Sequence, residues 1–189
     1  MAERERRNPR RRSTVFVPKT QLLSADDVER AMKRMAHEII ERTDSLENLV
    51  VIGLQTGGVP FATHLADVLL SVSGVDVQLG TLDVALYRDD NTLRPVLESA
   101  ETAIDADLTD RVVLLVDDVL FTGRTVRAAL NALSDWGRPR AVRLAVMVDR
   151  GHRELPIRPD FVGKNLPTAQ DEAIDATLDG VWLGTLVAR

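Results

Sequence analysis

Two adjacent carboxylates and a short hydroxyl- and glycine-rich turn stand together within Val112–Leu130. Asp117 and Asp118 follow an apolar run, and Thr122–Thr125 then opens an amphipathic segment. Free backbone N–H groups at the start of a helix favour a phosphate, and Gly123 lets the backbone approach it closely. Carboxylate oxygens can accept hydrogen bonds from a sugar diol and are ligands that Mg²⁺ prefers. The spacing therefore predicts a site for a phosphorylated sugar.

The flanking elements decide whether that site can form. Val112–Val116 is wholly apolar and rich in β-branched residues, which predicts a strand buried on both faces. The two carboxylates would lie at its carboxyl end, the edge at which open α/β sheets bind ligands, and a helix is expected from Val126 onward. An ordinary strand–loop–helix junction with solvated aspartates is the alternative interpretation.

A second strand, turn and helix precede the first. Leu49–Leu54 reads as a buried strand, Gln55–Gly58 as a glycine-containing turn, and Val59–Ser71 as a helix. This arrangement predicts a second place where backbone N–H groups could hold an anion.

The first helix is predicted from a start signal and a periodic stripe. Ser24 and Asp27 have capping-box spacing, and apolar residues then recur at helical intervals: Val28, Met32, Met35, Ala36, Ile39 and Ile40. Another face of the same helix carries Arg30, Lys33, Arg34 and His37. A solvated surface explains that basic face as well as a binding role does.

The length and composition limit the classes of protein to which this chain can belong. A chain of 189 residues can bury the core of one α/β domain, and no repeat divides it. The absence of cysteine excludes disulfides and thiolate metal sites. No apolar run approaches the length of a membrane span, and no secretory signal is present, so we expect a cytoplasmic protein without a membrane partner.

Charge is distributed unevenly along the chain. Residues 1–13 carry six arginines and two glutamates, a net charge of +4, so with −5 overall the rest of the chain carries −9. We expect residues 1–20 to be a basic, disordered extension and residues 21–189 to form a single domain. Any nucleic acid would therefore have to meet a local basic face, because the overall charge opposes binding.

Four strings in the chain resemble known families. LLVDDVLFTGRTV, at Leu114–Val126, resembles the phosphoribosyl-pyrophosphate (PRPP) signature of type I phosphoribosyltransferases. Three further strings together resemble the PyrR family of bifunctional pyrimidine operon regulators and uracil phosphoribosyltransferases: Arg34–Arg42, Leu86–Asp90 and Val148–Thr168. The likeness runs from about Ser24 to the carboxyl terminus. It implies an α/β fold with a central, mostly parallel sheet flanked by helices, a flexible flap and a small hood.

The resemblance also implies roles for matching positions. PRPP and nucleotide binding would fall to Thr56, Gly57, Gly58, Asp117, Asp118, Thr122, Gly123, Arg124 and Thr125. The catalytic residues would be Asp117, Asp118 and Arg88, with Mg²⁺ held alongside PRPP by the two aspartates. Base contacts would come from Val148, Asp149 and Arg150. RNA contacts would come from Lys33, Arg34, His37, Arg153, Arg158 and Lys164.

Two departures from the family pattern predict modest turnover. Relatives usually place arginine where this chain has Gly57, and losing a guanidinium should weaken the grip on pyrophosphate. The expected flap, Asp89–Asp110, contains the acidic residues Glu98, Glu101, Asp105 and Asp107 but only Arg94 as a cation before Arg111. Negative charge over a pyrophosphate opposes its binding.

The sequence therefore predicts a regulator with weak catalysis. It would bind pyrimidine operon leader mRNA in response to UMP or UTP, and convert uracil and PRPP to UMP and diphosphate, as a dimer or tetramer. The alternative is a dedicated uracil or other nucleobase phosphoribosyltransferase without RNA regulation.

Overall fold

The computed structural model describes residues 14–84 and 102–188. Its strands, in chain order, are β1 (Thr14–Ser24), β2 (Leu49–Leu54), β3 (Gln78–Leu82), β4 (Val112–Leu120), β5 (Ala141–Asp149), β6 (Phe161–Asn165), β7 (Ala173–Thr177) and β8 (Gly180–Ala188). The α-helices of the described ranges are α1 (Ala25–Arg42), α2 (Gly58–Ser73) and α3 (Arg124–Leu133). Five strands form a parallel sheet in the order β3-β2-β4-β5-β6. The predicted α/β sheet is thus confirmed.

The sheet is covered on both faces, which explains its apolar strands. Every residue of β2 is buried, as are the first residues of β4. Helices α1 and α2 pack into the core on one face, while α3 and residues 104–108 pack on the other. Parallel strands buried in this way carry continuous apolar runs rather than alternation.

Helix α1 begins and packs as its sequence predicts. The Ser24 hydroxyl accepts from the Asp27 backbone N–H at 3.3 Å, and the Asp27 carboxylate accepts from the Ser24 N–H at 2.9 Å. The hydrogen bond from the Ser24 side chain is the largest reason that the pKa of Asp27 falls to about 2. The predicted stripe is buried, with Ile40 at its edge. His64 on α2 bonds to Glu29 on α1 at 2.6 Å and so joins the two helices.

The hood is a separate three-stranded antiparallel sheet in the order β1-β8-β7. Strand β1 pairs with β8 from Thr14 opposite Ala188 to Ser24 opposite Gly180. The prediction of an extension over residues 1–20 is therefore wrong for residues 14–20. Their partner lies at the far end of the chain, which local patterns do not reveal; residues 1–13 lie outside the described residues.

The expected flap is described only at its carboxyl end. Leu86–Asp90, with Arg88, lies outside the described residues, as does Arg94. Ala103 returns to the central sheet, where its backbone exchanges two hydrogen bonds with Thr81 at 2.8 and 3.0 Å.

Among the described residues, no helix combines the length and apolar character needed to cross a membrane.

Candidate functional site

Asp117 and Asp118 lie where β4 extends past its neighbour β2. The β2 register with β4 ends at Gly53 opposite Val116, whereas pairing with β5 continues to Leu120. Strand β4 is therefore longer than the predicted Val112–Val116, and the carboxylates belong to it. Asp117 is only 8% exposed and accepts from the Asp118 N–H at 3.0 Å. Asp118 accepts from the Val119 N–H at 2.7 Å.

The Gln55–Gly58 turn lies against this part of β4. A Cβ on Gly58 would overlap the Val116 carbonyl oxygen, and a Cβ on Gly57 would overlap the Asp118 carboxylate. Only glycine at position 58 allows the backbone to come this close. The turn, with exposed Thr56, and the amino end of α2 are thereby held beside the two aspartates.

The turn after β4 leads into α3 through one left-handed residue. Gly123 has a φ of 92°, which a side chain would strain, and it caps a helix that begins at Arg124. The helix starts two residues earlier than predicted. The Thr122 hydroxyl accepts from the Arg124 N–H at 3.4 Å. Thr122–Thr125 thus forms the predicted helix amino terminus near the aspartates.

The Arg124 side chain is held by an acidic neighbour. Its Nε and Nη2 atoms lie 2.8 and 2.6 Å from Glu154, and the two side chains are 43% and 50% exposed. An ion pair this exposed stabilises little, so a ligand phosphate could replace Glu154 at small cost. A role for Arg124 in phosphate binding stays a prediction.

The aspartate pair suits a cation that arrives with its ligand. Among the described residues, no group of three or more acidic, histidine or cysteine side chains could form a metal cage. Mg²⁺ is commonly held by one or two carboxylates together with substrate phosphates. Asp117 and Asp118 fit that mode of binding.

The side chains predicted to contact a base make other contacts within the protein. Val148 is fully buried in the core. Arg150 is 6% exposed, and its guanidinium donates to Thr168, Ala169 and Glu172 beside the hood at 2.7 to 3.1 Å. Burial lowers its pKa. The structure therefore does not direct these two side chains towards a base. Asp149 accepts from the Gly151 N–H at 2.9 Å and pairs with Arg153.

The predicted RNA-binding residues do not form one patch. Arg34 and Lys164 line an open groove of about 580 Å³ between α1 and β6, which Arg30 also lines. Lys33 and His37 are exposed on the same helix, and Lys33 lies 3.1 Å from Glu29. Arg34 donates to the backbone carbonyls of Val162 and Gly163 at 2.9 and 2.7 Å, so part of its role is structural.

The other two predicted RNA contacts lie away from this groove. Arg158 borders a cavity of about 200 Å³ beside α3, on the opposite face of the central sheet. Arg153 turns inwards and is bonded through all three guanidinium nitrogens, and the prediction that it contacts RNA stays a prediction.

Sequence reasoning missed a contact between the β4 turn and the hood. The Arg150 guanidinium lies 4.1 Å from the centre of the Phe121 ring while it bonds to the hood loop. Phe121 also meets His152 edge to face at 6.0 Å. Nothing in the local pattern signals these contacts, because they join segments separated by a strand and a helix.

Comparison with known proteins identifies the family. The phosphoribosyl transferase domain matches residues 18–179. The Bifunctional protein PyrR of Deinococcus radiodurans is 56% identical over 164 residues, covering 85% of this chain and 88% of its own. The protein of that name from Trichormus variabilis is 51% identical, covering 87% and 91%. This chain belongs to the PyrR family of phosphoribosyltransferases.

Solved structures agree on the fold. The hypoxanthine-guanine phosphoribosyltransferase of Bacillus anthracis superposes with a TM-score of 0.67 at 20% identity, covering 92% of this chain and all of its own. The hypoxanthine phosphoribosyltransferase of Trypanosoma cruzi gives 0.68 at 19% identity, covering 89% and 97%. The predicted type I phosphoribosyltransferase fold is confirmed for this PyrR-family chain.

Substitution of Gly57 separates two physical effects. Its φ of −70° suits any residue, so only the contact with Asp118 matters. We expect Gly57→Ala to raise the KM for PRPP, because the new Cβ displaces that carboxylate. We expect Gly57→Arg to lower the KM about tenfold below that of Gly57→Ala and below the wild-type value, through charge-assisted bonds to pyrophosphate. Steady-state kinetics at saturating base measures both. Equal KM values for the two variants would contradict a role for the missing guanidinium.

Proposed function

We propose that this PyrR-family protein transfers a phosphoribosyl group from PRPP to uracil, and that its uridine-nucleotide-bound form regulates pyrimidine biosynthesis by binding the operon's leader mRNA. The observation that best supports the transferase half is the meeting of two glycine turns with Asp117 and Asp118 at one edge of the sheet. The regulatory half is supported by family membership and by the basic groove between α1 and β6. We also propose that the protein assembles as a dimer or tetramer, in which the grooves of two subunits would form one RNA-binding face.

Three parts of the site would bind three parts of the substrate. Asp117 and Asp118 would accept hydrogen bonds from the ribose diol, and Thr122–Thr125 at the amino end of α3 would hold the 5′-phosphate. The Gly57–Gly58 turn, which packs against β4, would hold the pyrophosphate through its backbone N–H groups. Mg²⁺, when bound by the two aspartates and PRPP, would offset negative charge on the pyrophosphate oxygens.

The reaction exchanges one bond at the anomeric carbon. The N1 atom of uracil bonds to C1′ while the bond from C1′ to the pyrophosphate oxygen breaks, and N1 loses its proton. The protein's part is to orient the sugar and to stabilise the charge that develops on the leaving group. An extended flap over the site would exclude water from the reacting carbon.

A panel of bases tests the transferase half. We expect pyrophosphate release from PRPP with uracil, and little with hypoxanthine, guanine or cytosine. Asp117→Asn should lower kcat/KM by roughly a hundredfold, because a charged acceptor for the diol is lost. Asp67→Asn, the same change at an exposed position on α2, should leave it unchanged. Faster release with a purine than with uracil would contradict the proposal.

A pair of single substitutions tests the RNA face. Lys164 lines the α1/β6 groove, makes no ion pair among the described residues, and lies on β6, two strands away from β4. We expect Lys164→Ala to weaken leader RNA binding about fivefold and to reduce the salt dependence by roughly one phosphate contact.

Arg138→Ala is the matched control, since Arg138 is exposed before β5 and is not among the predicted RNA contacts. Filter binding across a salt series should show wild-type RNA affinity for it and wild-type UMP affinity for both variants. An equal loss of RNA affinity in the two variants would contradict the assignment of the groove.

A further inference from the structure

The phosphate-binding turn, Leu120–Gly123, is hydrogen-bonded along one side by the end of β5 and the segment that follows it. We call this stretch, Asp149–Ile157, the brace. Its backbone N–H groups make three bonds to carbonyls of the turn: Arg150 to Leu120 at 3.1 Å, and Glu154 and Leu155 to Thr122 at 3.0 and 3.3 Å. A Cβ on Gly123 would meet Leu155 and Ile157 at 3.4 to 3.5 Å, so the brace also packs against the turn.

The remaining carbonyl of the turn is bonded by the Arg153 side chain. Its Nη1 donates to Phe121 at 2.8 Å, with longer contacts to Gly151 at 3.1 Å and Leu120 at 3.4 Å. Its Nε donates to the carbonyl of Ile157 at 3.0 Å, and its Nη2 pairs with Asp149. One guanidinium thus ties the turn to both ends of the brace.

The backbone of the brace is shaped to bring Arg153 back to β4. Gly151 and His152 both have positive φ, 79° and 58°, which reverses the chain directly before Arg153. The arginine is only 20% exposed as a result, and Asp149 supplies the opposite charge. Four-fifths of this side chain is covered, and its guanidinium lies against backbone carbonyls.

Bonding the carbonyls from one side orients the N–H groups of the turn. Because a peptide group is planar and trans, a carbonyl fixed towards the brace turns the next N–H the opposite way. The carbonyls of Leu120, Phe121 and Thr122 all point to the brace, and that of Gly123 accepts from Arg127 at 3.0 Å within α3. The N–H groups of Phe121–Gly123 therefore point away from the brace, where a phosphate at the amino end of α3 would meet them.

We propose that Arg153 is a positioning residue, which holds the phosphate-binding turn in the conformation that accepts the 5′-phosphate of PRPP and of UMP. The identity of these ligands rests on the proposed function. The RNA contact that its position in the family string implies would be an additional role of the same residue.

Kinetics and binding of Arg153 variants test this inference. We expect Arg153→Ala to raise both the KM for PRPP and the Kd for UMP on the order of tenfold to a hundredfold, with the KM for uracil nearly unchanged. Arg153→Lys should fall between, because one ammonium keeps the Asp149 pair but cannot span the carbonyls. Millimolar guanidinium should partly restore PRPP affinity in Arg153→Ala only. Arg138→Ala, at an exposed position before β5 that has no part in the site, should match wild type.

The UMP dependence of leader RNA binding is a second readout. In Arg153→Ala, UMP should enhance RNA binding only at a concentration raised by the same factor as the Kd for UMP. A KM for PRPP and a Kd for UMP that both match wild type would overturn the inference, whatever the RNA affinity of the variant. Wild-type protein that binds PRPP but releases no pyrophosphate with uracil would contradict the proposed function, and the PRPP affinities of the variants would still decide the role of Arg153.

Discussion

The functional edge of this protein depends on how the carbonyl groups of Leu120–Gly123 are bonded. A turn between a strand and a helix has several low-energy peptide orientations, and only some of them present N–H groups to a ligand. Here the brace supplies donors to Leu120, Phe121 and Thr122, so the orientation is set before any ligand binds. Preorganised donors are effective in anion binding because they need no reorganisation when charge arrives.

The same edge is constrained from the other side by the close approach of α2 to β4. Gly58 leaves no space for a side chain beside Val116, and Gly57 lies against Asp118. The aspartates are therefore held between two turns, one rigidly fixed by the brace and one fixed by backbone contact. The Phe121–Arg150 stack extends this connection to the hood loop.

Local sequence patterns predicted the elements that build the site. The apolar run before Asp117, the glycine-containing turns at 55–58 and 122–125, and the capping box at Ser24 are local patterns, and the structure has a strand, two turns and a helix start at these positions. Patterns could not predict contacts between distant segments. Strand β1 needs its partner at the other end of the chain, and the direction of Arg153 depends on positive φ angles at Gly151 and His152, 28 and 29 residues after Gly123. From sequence alone, a charged residue in a polar segment is expected to lie at the surface. Only the fold shows that such a side chain points inwards.

The overall charge of −5 makes the placement of cations decisive for any RNA role. Arg30, Arg34 and Lys164 share one groove, and Lys33 lies on the same helix, although Arg30, Lys33 and Arg34 each have an acidic partner nearby. An RNA that binds here would exchange these ion pairs for phosphate contacts, which makes salt dependence the natural measure of the interface.

The most direct test is the affinity of purified protein for the untranslated leader of the pyrimidine operon that it would regulate, with and without UMP, at several stated salt concentrations. We expect UMP to strengthen binding of that leader and not of a leader with an altered loop. Equal binding to both RNAs, unaffected by UMP and removed by salt, would contradict nucleotide-dependent regulation and leave a phosphoribosyltransferase with a basic surface.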